Sequence, residues 1–74
     1  MSTTMHCTYT ENDKIIESDF VDVSDVKDWF ADSYDHHTGE YPNQDEFNVF
    51  LRCESVDYIQ DGKIWCSWKM EESN

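Results

Sequence analysis

The sequence predicts a small single-domain α+β fold. Its elements run β-β-α-α-β-β, and one antiparallel sheet of about four strands carries the two helices on one face. Three observations predict it: apolar residues alternate near the N-terminus, apolar residues recur at helical spacing in the middle, and an Asp61-Gly62 pair splits the last apolar stretch into two.

Met5 to Tyr9 reads as a strand, with Met5, Cys7 and Tyr9 on one side and His6 and Thr8 on the other. Glu11-Asn12-Asp13-Lys14 is polar and turn-rich. Ile15 to Val23 is β-branched and aromatic, hence a second strand. Its parity is split between Ile16 with Phe20 and Ile15 with Val21 and Val23, which implies a bulge or two-sided burial near its end.

Ser24 is placed to cap a helix and Asp25 to sit in its first turn, where the helix dipole favours a carboxylate. Val26, Trp29, Phe30, Ser33 and Tyr34 follow at amphipathic spacing, so the helix spans about 25–35. His36 to Tyr41 contains Gly39 and precedes Pro42, and reads as a loop. Asn43 with Glu46 forms a capping-box pattern ahead of Phe47, Phe50 and Leu51, giving a second helix at about 44–53, with a strand from Asn48 as its rival. Asp61-Gly62 then sits between Val56–Gln60 and Lys63–Met70, a two-residue hairpin turn. Its simple register pairs Ile59 with Ile64, Tyr58 with Trp65 and Glu54 with Lys69. Trp65 and Trp68 point to opposite faces, one into the core and the other exposed with Tyr58. Residues 1–4 and 71–74 are expected to fray.

The chain has 74 residues, 15% of them aromatic, with only two Gly and one Pro. The aromatic content argues for a folded core against a mean hydropathy of −0.82. Seventeen Asp and Glu face five Lys and Arg, for a net charge of −12. Direct binding to DNA, RNA or an anionic membrane is excluded on charge, because those surfaces are met with Lys and Arg. No run of about 18 apolar residues exists for a membrane span, and Met1 to Met5 has no secretory-signal character. Cys7, Cys53 and Cys66 are odd in number and show no C-x-x-C spacing. They fit three buried thiols in a reducing cytoplasm, with a single Cys7–Cys66 or Cys53–Cys66 bridge as the alternative.

The charge pattern is the functional clue. Asp25, Asp28, Asp32 and Asp35 fall in a stripe roughly 80° wide, opposite Val26, Trp29, Phe30 and Tyr34. A helix built only for solubility gains from acid–base pairs four apart, whereas Asp28–Asp32 is a like-charge pair. A folded chain of this length is roughly 30 Å across. Twelve net charges then lie about one per 2.5 Å, against about one per 1.7 Å of duplex DNA. Salt adaptation also yields acidic proteins, but this chain has one Ala and four Lys to one Arg.

In size, charge and this Asp25–Asp35 stripe the chain resembles a class: the small acidic inhibitors encoded by phages and mobile elements. These include DNA-mimicking anti-restriction proteins, the phage inhibitor of uracil-DNA glycosylase and many anti-CRISPR proteins. The resemblance implies a non-enzymatic protein without cofactor that blocks the basic groove of a nucleic-acid-binding protein, as monomer or homodimer. The candidate contacts are Asp25, Asp28, Asp32 and Asp35, with Glu17, Asp19 and Asp22 on the preceding strand and Glu40 and Tyr41 in the loop. Tyr34 is assigned to the core.

Other constellations are weaker. Adjacent His36 and His37 diverge, and no Cys or His spacing suits zinc. Paired carboxylates for glycoside hydrolysis need a cleft that so short a chain hardly encloses. Helical Asp25, Asp28 and Asp32 lack a calcium-loop pattern. Two further function classes remain: an antitoxin or immunity protein for a basic nuclease, and an adaptor that binds through an aromatic hairpin face. Because twelve net charges repel one another, moderate salt is expected to raise the melting temperature above its low-salt value; thermal unfolding across a salt series checks this.

Overall fold

Burial follows the alternation of the first strand: Met5, Cys7 and Tyr9 are buried, while His6, Thr8 and Thr10 are half-buried on the other side. The computed structural model describes residues 3–73. Within them lie β1 (Thr4–Glu11), β2 (Lys14–Asp22), a 3-10 turn (Val23–Asp25), α1 (Val26–Thr38), α2 (Gln44–Cys53), β3 (Ser55–Gln60) and β4 (Lys63–Ser73). The strands form one antiparallel sheet in the order β2-β1-β4-β3. The expected α+β order and four-stranded sheet are therefore present. Met5, Cys7 and Tyr9 of β1 and Cys66, Trp68 and Met70 of β4 form the sheet's buried face, and Val26, Phe30, Tyr34, Phe47 and Phe50 of the helices close over it.

Both hairpins turn on two residues with positive φ: Asn12 and Asp13 at 51° and 64°, Asp61 and Gly62 at 54° and 75°. That geometry matches the strands' right-handed twist, and Asn, Asp and Gly tolerate it best. α2 starts as the sequence indicates, because Asn43 accepts from the Glu46 amide while Glu46 accepts from the Asn43 amide. The strand alternative from Asn48 is not formed. The Tyr34 hydroxyl also donates to the Glu46 carboxylate, tying α1 to the start of α2.

Several boundaries differ from expectation. Asp22, not Ser24, makes the cap: its carboxylate accepts from the Ser24 amide and hydroxyl at 3.1 and 3.0 Å. A 3-10 turn results, so Asp25 precedes α1 instead of opening it. α1 runs on through His36, His37 and Thr38 and ends at Gly39, at φ 76°. Nothing before that glycine interrupts it, and histidines suit a helix C-terminus.

The bulge of β2 lies near its start, at Ile16, where Tyr9 faces Glu17 and Thr10 faces Ile15. In the second hairpin Ile59 does face Ile64, but Trp65 is an extra residue in β4. Tyr58 therefore faces Cys66, and Ser55 faces Lys69. Trp68 is the buried tryptophan and Trp65 the exposed one, whereas Tyr58 packs half-buried against the core.

β4 reaches Ser73 because it pairs with Thr4, Met5 and His6 of β1, which overturns fraying at residues 71–73. Thr4 is likewise paired on both sides, and the Thr3 carbonyl accepts from Val23. Met1, Ser2 and Asn74, also expected to fray, lie outside the described residues.

All three cysteines are free. Cys7 faces Met70, four residues along β4 from Cys66 and so roughly 13 Å away, beyond disulfide reach. Cys53 is exposed on α2, contrary to the expectation of burial.

Burial pushes the Cys7 thiol up to about 11, with the Asp19 charge adding to it. Burial likewise raises Cys66, with the Glu11 charge adding and a bond from Tyr9 opposing, and it raises Tyr9 and Tyr34, which also bond to neighbouring acids. Each of these groups ionises more readily in the unfolded chain. The Cys7 contribution is complete below the ordinary thiol value of 9.0 and is lost as pH climbs through about 11, whereas that of the tyrosines is complete up to their ordinary value of 10.0 and is lost above it. The melting temperature is therefore expected to fall steadily above pH 9, and thermal unfolding between pH 7 and 11 checks this.

Candidate partner-binding face

α1 presents its core residues at one-turn spacing, which leaves Asp28, Asp32 and Asp35 together on the opposite side. All three are exposed, as are Asp25 in the turn before them and Glu40 in the loop after them. Along the axis the three α1 carboxylates are spaced by about 6 and 4.5 Å. Among the described residues the ion pairs are His37–Glu17 and Lys69–Glu71, so no Lys or Arg neutralises this row. The one lysine of α1, Lys27, lies with its ammonium over the Phe47 ring, 5.1 Å from the centroid, and is in neither of these ion pairs. Tyr41, 70% exposed, makes an edge contact with Phe47 beyond the C-terminal end of the helix.

Glu17 and Asp19 of β2 behave differently from the helix acids. β2 turns them toward α1, where each has a job within the fold. Glu17 lies 2.7 Å from His37 Nε2, and the Ser33 hydroxyl reaches it at 3.5 Å. Asp19 accepts from the Trp29 indole at 3.0 Å. Asp22 caps the 3-10 turn. Glu17 and Asp19 nevertheless line, with Trp29, Asp32, Ser33 and Asp35, an open groove of about 490 Å³ between β2 and α1. The groove thus has acids on both walls. His36 completes it; periodicity assigns Trp29 and Ser33 to the core and leaves His36 in a loop, so their place here has no sequence signal.

The molecule is longer than a sphere of its mass, with extents of 42 × 26 × 20 Å. Twelve net charges along the long axis give about one per 3.5 Å, half the density of duplex DNA. The helix acids instead form a local strip. Among the described residues no three His, Cys, Asp or Glu side chains are grouped to hold a metal ion, and no helix is long and apolar enough to cross a membrane.

Comparison with protein-family models, with curated proteins and with solved structures finds no match for the chain.

Asp32→Lys converts the repulsive pair with Asp28 into an attractive one with the acid on the N-terminal side. It is expected to stabilise the fold by about 0.5 kcal/mol at low salt, read by urea unfolding.

Proposed function

We propose that the protein is a non-enzymatic acidic inhibitor that occludes the basic nucleic-acid-binding site of a target protein or complex. It is of the kind phages and mobile elements encode against host defence, in the manner of anti-CRISPR proteins and DNA mimics, and it works in the host cytoplasm. The observation that carries this reading is the row Asp28, Asp32 and Asp35 on one helix, extended by Asp25 and Glu40, with no Lys or Arg in an ion pair with it among the described residues. Such a row competes with phosphates for a Lys- and Arg-lined groove and speeds encounter by electrostatic steering. The acids of β2 deepen the negative field behind it, although Glu17 and Asp19 are held by the fold. Targets with such grooves include CRISPR effectors, restriction enzymes and repair enzymes.

A second reading has its own observation. Ile59, Ile64 and Trp65 lie exposed at the end of the second hairpin, as an adaptor binding through apolar and aromatic contacts requires.

Capture of partners from nuclease-treated lysate separates the two. The inhibitor reading expects a nucleic-acid-binding protein that is held at low salt, released at high salt and displaced by added duplex. Asp28→Lys/Asp32→Lys is expected to weaken that capture at least tenfold while far-UV circular dichroism stays native. Capture unchanged by this double variant, or indifferent to salt, transfers the function to the hairpin.

A further inference from the structure

At the turn end of the sheet, the β1–β2 turn, the second hairpin and the C-terminal end of α1 surround another cavity, of about 340 Å³. That is within the range of small-ligand pockets and ample for one side chain. Its lining includes Tyr9, Glu11, His37, Tyr58, Gln60 and Trp65, and contains no Lys or Arg.

Three features give the cavity a chemical preference. The first is the Trp65 indole, 53% exposed because the β4 bulge displaces it from the strand's regular pairing. Its N–H donates to the Gln60 carbonyl at 3.2 Å, which fixes the ring in place. An exposed, fixed indole face attracts a cation, and a planar one best. The second is the Glu11 carboxylate, positioned by the hydroxyl of buried Tyr9 at 2.9 Å. The third is Thr38, the last residue of α1, which also lines the cavity and brings the negative end of the helix dipole to it. An aromatic wall, a carboxylate and a helix C-terminus together favour a flat, positively charged group that donates hydrogen bonds.

The geometry points to this cavity as the receptor for an arginine side chain of the basic partner, its guanidinium against the Trp65 indole and its N–H groups toward Glu11. The inference rests on the reading of the protein as a binder of a basic surface. α1 connects the two places: Asp35 and His36 line the acidic groove, and His37 and Thr38 line this cavity. A partner lying along the acidic row therefore meets the cavity just beyond the helix end. Arginine anchored in a pocket is a common source of binding energy.

The test titrates the protein with N-acetyl-L-arginine methylamide, with the matching lysine derivative and with sodium chloride, all at equal ionic strength. Nitrogen–proton NMR spectra report on the tryptophan indoles and the backbone. The arginine derivative is expected to shift, saturably, the Trp65 indole resonance and the amides near residues 9–12, 37–38 and 58–66. Its affinity should exceed that of the lysine derivative about threefold. Trp65→Ala should weaken it roughly tenfold, Trp65→Phe should restore most of the loss and Glu11→Gln should weaken it about fivefold. Trp65→Phe keeps a ring at the bulge and so separates loss of the pocket from loss of the fold.

Equal responses to all three solutes, or arginine binding unchanged in Trp65→Ala, overturn the proposal. Shifts confined to residues 25–36 overturn it too, but leave the acidic face standing as the partner surface. Conversely, specific arginine binding in a protein that captures no nucleic-acid-binding partner keeps the pocket and removes the inhibitor reading.

Discussion

Burying the Trp68 indole sets most of the remaining structure. Trp68 is fully buried at the middle of the sheet, stacked on Tyr34 and met edge-on by Phe30. An indole N–H placed there needs an acceptor, since an unpaired buried donor costs about 1–3 kcal/mol. Ser33 supplies it at 2.9 Å, which explains a hydroxyl on the core side of α1. Ser33 in turn points its own hydroxyl at Glu17, and Glu17 meets His37 at 2.7 Å while His37 stacks on Tyr9. One buried ring thus fixes the rotation of α1, the inward face of β2 and the seat of the α1 C-terminus.

The same chain of contacts sorts the acids into two kinds. Carboxylates drawn into the network, Glu17 and Asp19, are compensated by indole, hydroxyl and imidazole donors. Those of α1 are left outside it because the helix has only one orientation compatible with Ser33, Phe30 and Tyr34 facing inward. The acidic face is in this sense a by-product of core packing in position, and of sequence choice in chemistry. Any polar residue satisfies the fold at 28, 32 and 35, and aspartate is a poorer helix former than glutamate or lysine.

Local signals were legible from the sequence where local geometry dominates. The Asp61-Gly62 turn, the Asn43–Glu46 capping box and the Met5, Cys7, Tyr9 alternation each depend on residues within a few positions of one another, and each appears in the structure. Features set by distant partners were not. The bulges at Ile16 and Trp65 shift register by one residue; the split parity of β2 signals an irregularity but puts it near the strand's end, and nothing local marks the one at Trp65. Glu17 and Asp19 face inward because Ser33, His37 and Trp29 receive them, whereas hydropathy alone sends them out and draws Ile15, Ile16 and Phe20 in. The exposed row Asp28, Asp32 and Asp35 was readable because helical periodicity is itself local, but the groove beside it requires knowing which edge of the sheet α1 lies against.

The two central strands of the sheet are β1 and β4, the first and the last of its four strands in chain order. Each hairpin is local, yet the core lies between them, where Thr4 faces Ser73 and Cys7 faces Met70. Trp68, the ring on which the network turns, belongs to the final strand. Phe30, Tyr34, Phe47 and Phe50 therefore have no complete sheet face to cover until β4 has paired with β1. Forming the core thus means closing the long loop between β1 and β4, and a net charge of −12 makes chains that have not yet closed it repel one another.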